Sequence, residues 1–188
     1  MKKLLNPIEF FDDKKLLMTN LIIFAIGMVV ATLMRAVFGS PIEFHFLSEI
    51  EVSQTILSNL YAIGIMTFVL FISGKIINSK TRFIDCLNLS LYLRIPYYFL
   101  TLWNITGTFS NMTSKLLNQN NITEILPSST VDMFVLTTFS ILIFVVWALK
   151  AIVVFFSFKT IANAKKISDY LILTGIFITS TILYSFLF

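Results

Sequence analysis

One cysteine, Cys86, and one histidine, His45, are all this chain has of the two side chains most used to capture metals. A single cysteine excludes an intrachain disulfide and any cysteine-rich metal site, and one histidine far from it leaves no cluster of ligands. Charge is scarce too, at 13% of residues. The two-histidine zinc pattern on a helix, the Gly-x-Ser-x-Gly nucleophile elbow and the glycine-rich phosphate loop are all missing. The sequence therefore offers no catalytic, cofactor-binding or metal-binding residue, and the expectation is a protein that is not an enzyme. Cys86 reads as a small packing residue and His45 as a solvated loop residue.

What fills the chain instead is apolar. Hydrophobic residues make up 57% of the 188, phenylalanine alone accounts for 20, and the mean hydropathy is +0.88. A water-soluble fold of this size could not hide so much apolar surface. A bilayer core about 30 Å thick takes roughly 20 helical residues per crossing. Stretches of that order occur at 16–38, 53–73, 84–106, 131–156 and 168–187. They predict an all-α fold, a polytopic transmembrane helix bundle with about five spans, forming a single domain over 1–188. Gly39-Ser40-Pro41 ends the first stretch, while Ser129-x-x-Asp132 after Pro127 and Ser168-Asp169 supply helix starts for the fourth and fifth.

Basic residues orient the bundle. Lys2, Lys3, Lys14 and Lys15 precede the first span, Lys75, Lys80 and Arg82 follow the second, and Lys159, Lys165 and Lys166 follow the fourth. The alternate loops, 39–52 and 107–130, carry only Lys115. Short cytoplasmic segments retain lysine and arginine, so the expectation is a cell-membrane protein with a cytoplasmic N-terminus and the C-terminus outside. Topology and anionic lipid account for the net charge of +4 without nucleic acid. Glu9, Asp12 and Asp13 interrupt the basic start before any apolar run, so residues 1–15 read as mature cytoplasmic sequence. Asn6-Pro7-Ile8-Glu9 resembles a helix start, with Asn6 as cap, and Ile8, Phe11, Lys14 and Lys15 suggest a short helix on the inner surface. Asn111-Met-Thr and Asn121-Ile-Thr match the glycosylation triplet but carry little weight in a chain rich in Asn, Ser and Thr.

Every acidic residue falls in a loop or near a span end, which argues against a proton-driven carrier. Arg94 is the exception among the charges, because it stands near the middle of the third span, where an ion is costly and usually functional. Arg35 and Lys150 lie near span ends and read as interfacial anchors. Ser90, Arg94, Tyr97, Tyr98 and Thr101 recur at helical spacing and form one stripe, a candidate ligand or lipid contact facing the bundle interior. Pro96 predicts a kink that frees the Tyr92 carbonyl, and the Arg94 guanidinium could satisfy it. Two roles stay open for Arg94: a buried cross-brace, or a contact for a lipid headgroup or anionic ligand. Gly27 with Ala31, and Gly64 beside Ala62, permit close helix approach.

With Asn6-Pro7-x-x-Phe10-Phe11 before the first span, Gly74-Lys75 and the basic loop to Phe83, Tyr92-x-x-x-Pro96, and Trp147 followed by Lys159 to Ile167, the chain resembles the Ypt-interacting-protein (Yip) family of five-span membrane proteins in its prokaryotic form. The resemblance runs nearly the full length. Phe155 and Phe156 stand where the family often has small residues, Arg94 inside the Tyr-to-Pro motif is unusual, and no counterpart of the long N-terminal region of many eukaryotic relatives precedes the first span. The resemblance implies a non-enzymatic accessory or scaffold subunit, working beside an ABC-type exporter or a membrane-trafficking GTPase. Its expected partners are the lipid bilayer and another membrane protein or a second copy. The rival expectation is a small lipid- or solute-translocating protein that uses the Arg94 stripe.

Overall fold

The computed structural model describes residues 2–118 and 130–187. It is nearly all-α. Three helices are long and apolar enough to cross a bilayer: α3 (Asp13–Leu33), α4 (Val52–Ile77) and α8 (Thr130–Ala162). At 1.5 Å per residue α8, with 33 residues, is ~50 Å long, well beyond the hydrocarbon core. A further apolar helix, α9 (Ile167–Leu187), returns beside α4.

Two short helices precede these, α1 (Lys2–Leu5) and α2 (Pro7–Phe10), and both pack on α8. Asn6 stands at the cap position of α2, but its side-chain amide bonds elsewhere, donating to Glu9 Oε2 at 2.6 Å and to Thr160 Oγ1 at 2.8 Å. The N-terminal segment is thus hooked onto the end of α8. The cap of α3 is Asp12, whose carboxylate accepts from the Lys15 N–H at 3.1 Å.

After α3 the chain departs from expectation. Arg35 takes a φ of 55°, a left-handed turn that costs a side-chain-bearing residue on the order of 1 kcal/mol. The turn leads into an antiparallel hairpin, β1 (Ala36–Ser40) and β2 (Glu43–Phe46), with Ala36 opposite Phe46 and Ser40 opposite Glu43. The first helix therefore stops at Leu33 instead of running to 38, and residues 39–46 are not a plain external loop. Ala36, Phe38, Ser40 and Phe46 are buried, and β1 lies along α4. The Phe38 N–H donates to Ser58 Oγ at 3.2 Å, and the Thr55 hydroxyl donates to the Ala36 carbonyl at 3.4 Å. Non-helical backbone inside an apolar bundle is tolerated only where protein groups satisfy it in this way.

The stretch 84–106 is not one helix either. It consists of α5 (Phe83–Tyr92), α6 (Ile95–Thr101) and a single 3₁₀ turn, Leu102–Asn104. The break falls at Leu93 and Arg94. Pro96 occupies the first turn of α6, where its missing N–H removes no intrahelical bond. A kink was expected, and a full break is observed. Beyond it, the Asn104 side chain donates to the Met34 carbonyl and Ser110 Oγ while accepting from the N–H groups of Phe109 and Ser110. It thereby fixes the start of α7 (Thr108–Asn118), which contains Asn111. Asn121, Pro127 and Ser129 lie outside the described residues.

Two buried clusters result. One joins α4, α5, α8 and α9 around Leu70, Leu89 and Phe158. The other joins the hairpin, α4 and α6 around Phe38, Ala62, Tyr97 and Tyr98. Gly27 of α3 belongs beside the second, because a Cβ there would run into the Tyr98 ring. Among the described residues nothing lies within 4 Å of such a position at Gly64, so no close approach is seen there.

Candidate functional site

The break between α5 and α6 places Arg94 against the tip of the hairpin. Its Nη2 donates to the Ser40 carbonyl at 3.0 Å, not to the Tyr92 carbonyl. The adjacent two carbonyls are capped as well: Lys150 Nζ donates to Pro41 at 2.9 Å and the Tyr97 hydroxyl to Ile42 at 2.8 Å. Three consecutive carbonyls of a tip with no helical partners thus receive one donor each, from α6, α8 and the break between α5 and α6. Tyr97 is held in turn by the Trp147 indole, whose Nε1 donates to its oxygen at 3.1 Å.

Lys150 is the main correction to the sequence reading. It was expected to reach the interface as an anchor, yet it is 9% exposed and Arg94 only 2%. The fourth stretch ends at 156 in the sequence reading, but α8 runs to Ala162, so Lys150 stands well inside the helix and not near its end. Both cations lie over the buried Tyr97 ring, Lys150 Nζ at 3.8 Å from its centroid and the Arg94 guanidinium carbon at 5.7 Å, and the latter is also 5.4 Å from the Phe38 ring.

Among the described residues no ion pair reaches either cation, and the Arg94 Nη1 is buried without a hydrogen-bond partner. An aromatic face offers a cation ~0.5–2 kcal/mol. Removing an ion from water costs several kcal/mol. Neither basic group therefore has a carboxylate among the described residues to compensate a charge on it.

The cations face a cavity of about 370 Å³. Pro41 and Ile42 of the hairpin tip, Ser90, Trp147, Tyr170 and Thr174 line its polar part, and Met66, Leu93, Val154 and Phe177 supply apolar wall. Among the described residues, no Asp or Glu lines it.

The stripe divides around this cavity. Ser90 and Arg94 line it, with the Ser90 hydroxyl turned to the Cys86 carbonyl at 2.8 Å. Tyr97 stands behind the two cations. Tyr98 turns to the other side, where its oxygen accepts from Asn59 Nδ2 at 2.7 Å, and the Thr101 hydroxyl bonds the Tyr98 carbonyl. Tyr98 and Thr101 thus belong to packing against α3 and α4, while the Tyr92 hydroxyl donates to the Leu4 carbonyl on the N-terminal segment. Sequence reasoning missed Lys150, Trp147 and the hairpin tip. A signal for the hairpin was present in Phe44-His45-Phe46, whose period of two is that of a strand. His45 itself is exposed, 3.2 Å from Glu43, and no group of three metal-ligating side chains occurs among the described residues.

Comparison with protein-family models, with curated proteins and with solved structures finds no match to this chain.

Proposed function

We propose that this is a non-enzymatic, five-span membrane protein that binds an anionic amphiphile in the Arg94–Lys150 cavity and moves or presents it within the bilayer. The observation that carries the proposal is the pair of buried cations without a carboxylate, facing a cavity whose remaining walls are largely apolar. An anionic head supplies the missing charge, and an apolar tail suits the walls. In this reading α3, α4, α8 and α9 are four of the spans and the broken α5–α6 segment is the fifth. The ten basic residues in and before the first turn of α3, from the end of α4 to the start of α5, and around the junction of α8 and α9 support a cytoplasmic location for those ends and a C-terminus outside.

This puts the translocating role ahead of the scaffold role. The Yip resemblance is retained as part of the proposal on its sequence motifs, and an accessory role beside an exporter or a trafficking GTPase is compatible with holding a lipid. The decisive experiment is native mass spectrometry of the protein purified in mild detergent. The wild type should retain anionic lipid in preference to phosphatidylcholine, and the Arg94→Gln/Lys150→Gln double variant should lose that preference. Equal retention of both lipids by the wild type would sink the proposal.

A further inference from the structure

Resting on the anion-binding reading above, the geometry points to a phosphomonoester as the head of the ligand, a phosphate carrying two negative charges on an apolar chain. Every element packed around it contributes apolar or neutral side chains to the cavity except Arg94 and Lys150. The acids on those same elements are engaged elsewhere. Glu43 is exposed and beside His45, Asp85 is paired with Arg82, Asp132 accepts from the Thr108 hydroxyl, and Asp169 accepts from the backbone N–H groups of Lys165 and Lys166. Among the described residues the site therefore presents two basic groups and no acid. A carboxylate or a phosphodiester would neutralise one of them and leave the other buried. A phosphomonoester neutralises both, and hydrogen bonds from a guanidinium and an ammonium favour its fully ionised form.

The donors lead to the same head. A guanidinium has five N–H donors and an ammonium three, yet each makes one hydrogen bond to the protein, to Ser40 and to Pro41. A monoester presents three terminal oxygens to these remaining donors, whereas a diester or a carboxylate presents two. The apolar walls distinguish an esterified phosphate from the free ion, because Met66, Leu93, Val154 and Phe177 offer a phosphate oxygen nothing.

The test uses the full chain in phosphatidylcholine nanodiscs and reads bound lipid by native mass spectrometry after adding, separately, phosphatidic acid or phosphatidylglycerol with identical acyl chains. The monoester should reach half-occupancy at a concentration at least about tenfold lower than the diester, ~1.4 kcal/mol. Inorganic phosphate at the same concentration should not displace it. Lys150→Gln should bring the two lipids level while both stay above phosphatidylcholine, because Arg94 remains. If the wild type holds the diester as tightly as the monoester, the monoester assignment is overturned and anion binding still stands. If neither exceeds phosphatidylcholine, both fail. If inorganic phosphate displaces the lipid, the site belongs to free phosphate and the amphiphile assignment is overturned. The wild-type comparison needs no variant, so a variant that does not fold leaves the test intact.

Discussion

Arg82 and Arg94 stand on either side of α5, and the chain surrounds them in opposite ways. The Arg82 side chain is 58% exposed and makes a two-bond fork with Asp85, at 2.9 and 2.7 Å, plus a third contact to Asp13 at 2.9 Å. Its hydrogen bonds to Asp85, and then to Asp13, hold its pKa above the ordinary arginine range. The charge is neutralised within the chain, and the result is a clamp between the starts of α3 and α5. Arg94 is buried, meets one carbonyl and two aromatic faces, and has Lys150 beside it instead of an acid. Arg82 is the more accessible cation and the poorer candidate for a ligand, because its own carboxylates already occupy its donors. The proposed site rests on buried basic groups without an acid, not on exposure.

The largest effect expected from this contrast is at Arg94 itself. Arg94→Ala removes the donor to the Ser40 carbonyl inside the bundle, which costs ~1–3 kcal/mol for a buried acceptor left alone, and it removes half of the positive charge at the cavity. Thermal unfolding in detergent should show the loss of stability, and added anionic lipid should raise the midpoint less than in the wild type, as mass action requires for a more weakly bound ligand. Arg94→Lys should recover part of both, since an ammonium cannot reproduce the planar fork. If Arg94→Ala unfolds like the wild type and still responds to anionic lipid, Arg94 is no different in kind from Arg82.

The contrast can also be erased by giving Arg94 what Arg82 has. Ser90 lines the same cavity and is buried, so Ser90→Asp places a carboxylate near the guanidinium. Retention of anionic lipid should fall by about tenfold, ~1.4 kcal/mol. Ser90→Ala should keep it, because the native hydroxyl is turned to the Cys86 carbonyl and away from any ligand role. Undiminished retention in Ser90→Asp would show that the cations are not what holds the lipid.

The unequal legibility of these two sites has a physical origin. The long apolar helices were readable because bilayer thickness sets their length, and α3, α4 and α8 are among the stretches the sequence marks. Arg94 attracted notice because it stands amid apolar residues. Lys150 read only as an anchor, since Ser157 and Lys159 look like the end of the apolar stretch although the helix continues to Ala162. Pro96 signalled an interruption, but whether a helix kinks or breaks depends on what receives the freed backbone. The hairpin tip was hidden for the same reason: Gly39-Ser40-Pro41 marks a turn, and only the packed structure shows three side chains from distant parts of the chain meeting its carbonyls.

The smallest effect should come from Arg82. Arg82→Gln removes the fork to Asp85 and the contact to Asp13, three short bonds that look substantial on geometry alone. Yet the arginine side chain is more than half exposed, and exposed ion pairs contribute only ~0.2–1 kcal/mol. Asp85 also lies in the first turn of α5, where the free N–H groups of the helix start favour a carboxylate without any arginine. The expected loss is therefore below ~1 kcal/mol at low salt and is much reduced at about 1 M salt, where the screening length is ~3 Å. Retention of anionic lipid should not change at all. Unfolding measured at both salt concentrations, alongside lipid retention, checks this. A salt-independent loss of several kcal/mol, or loss of lipid binding, would mean that Arg82 is coupled to the cavity and that clamp and site are one device.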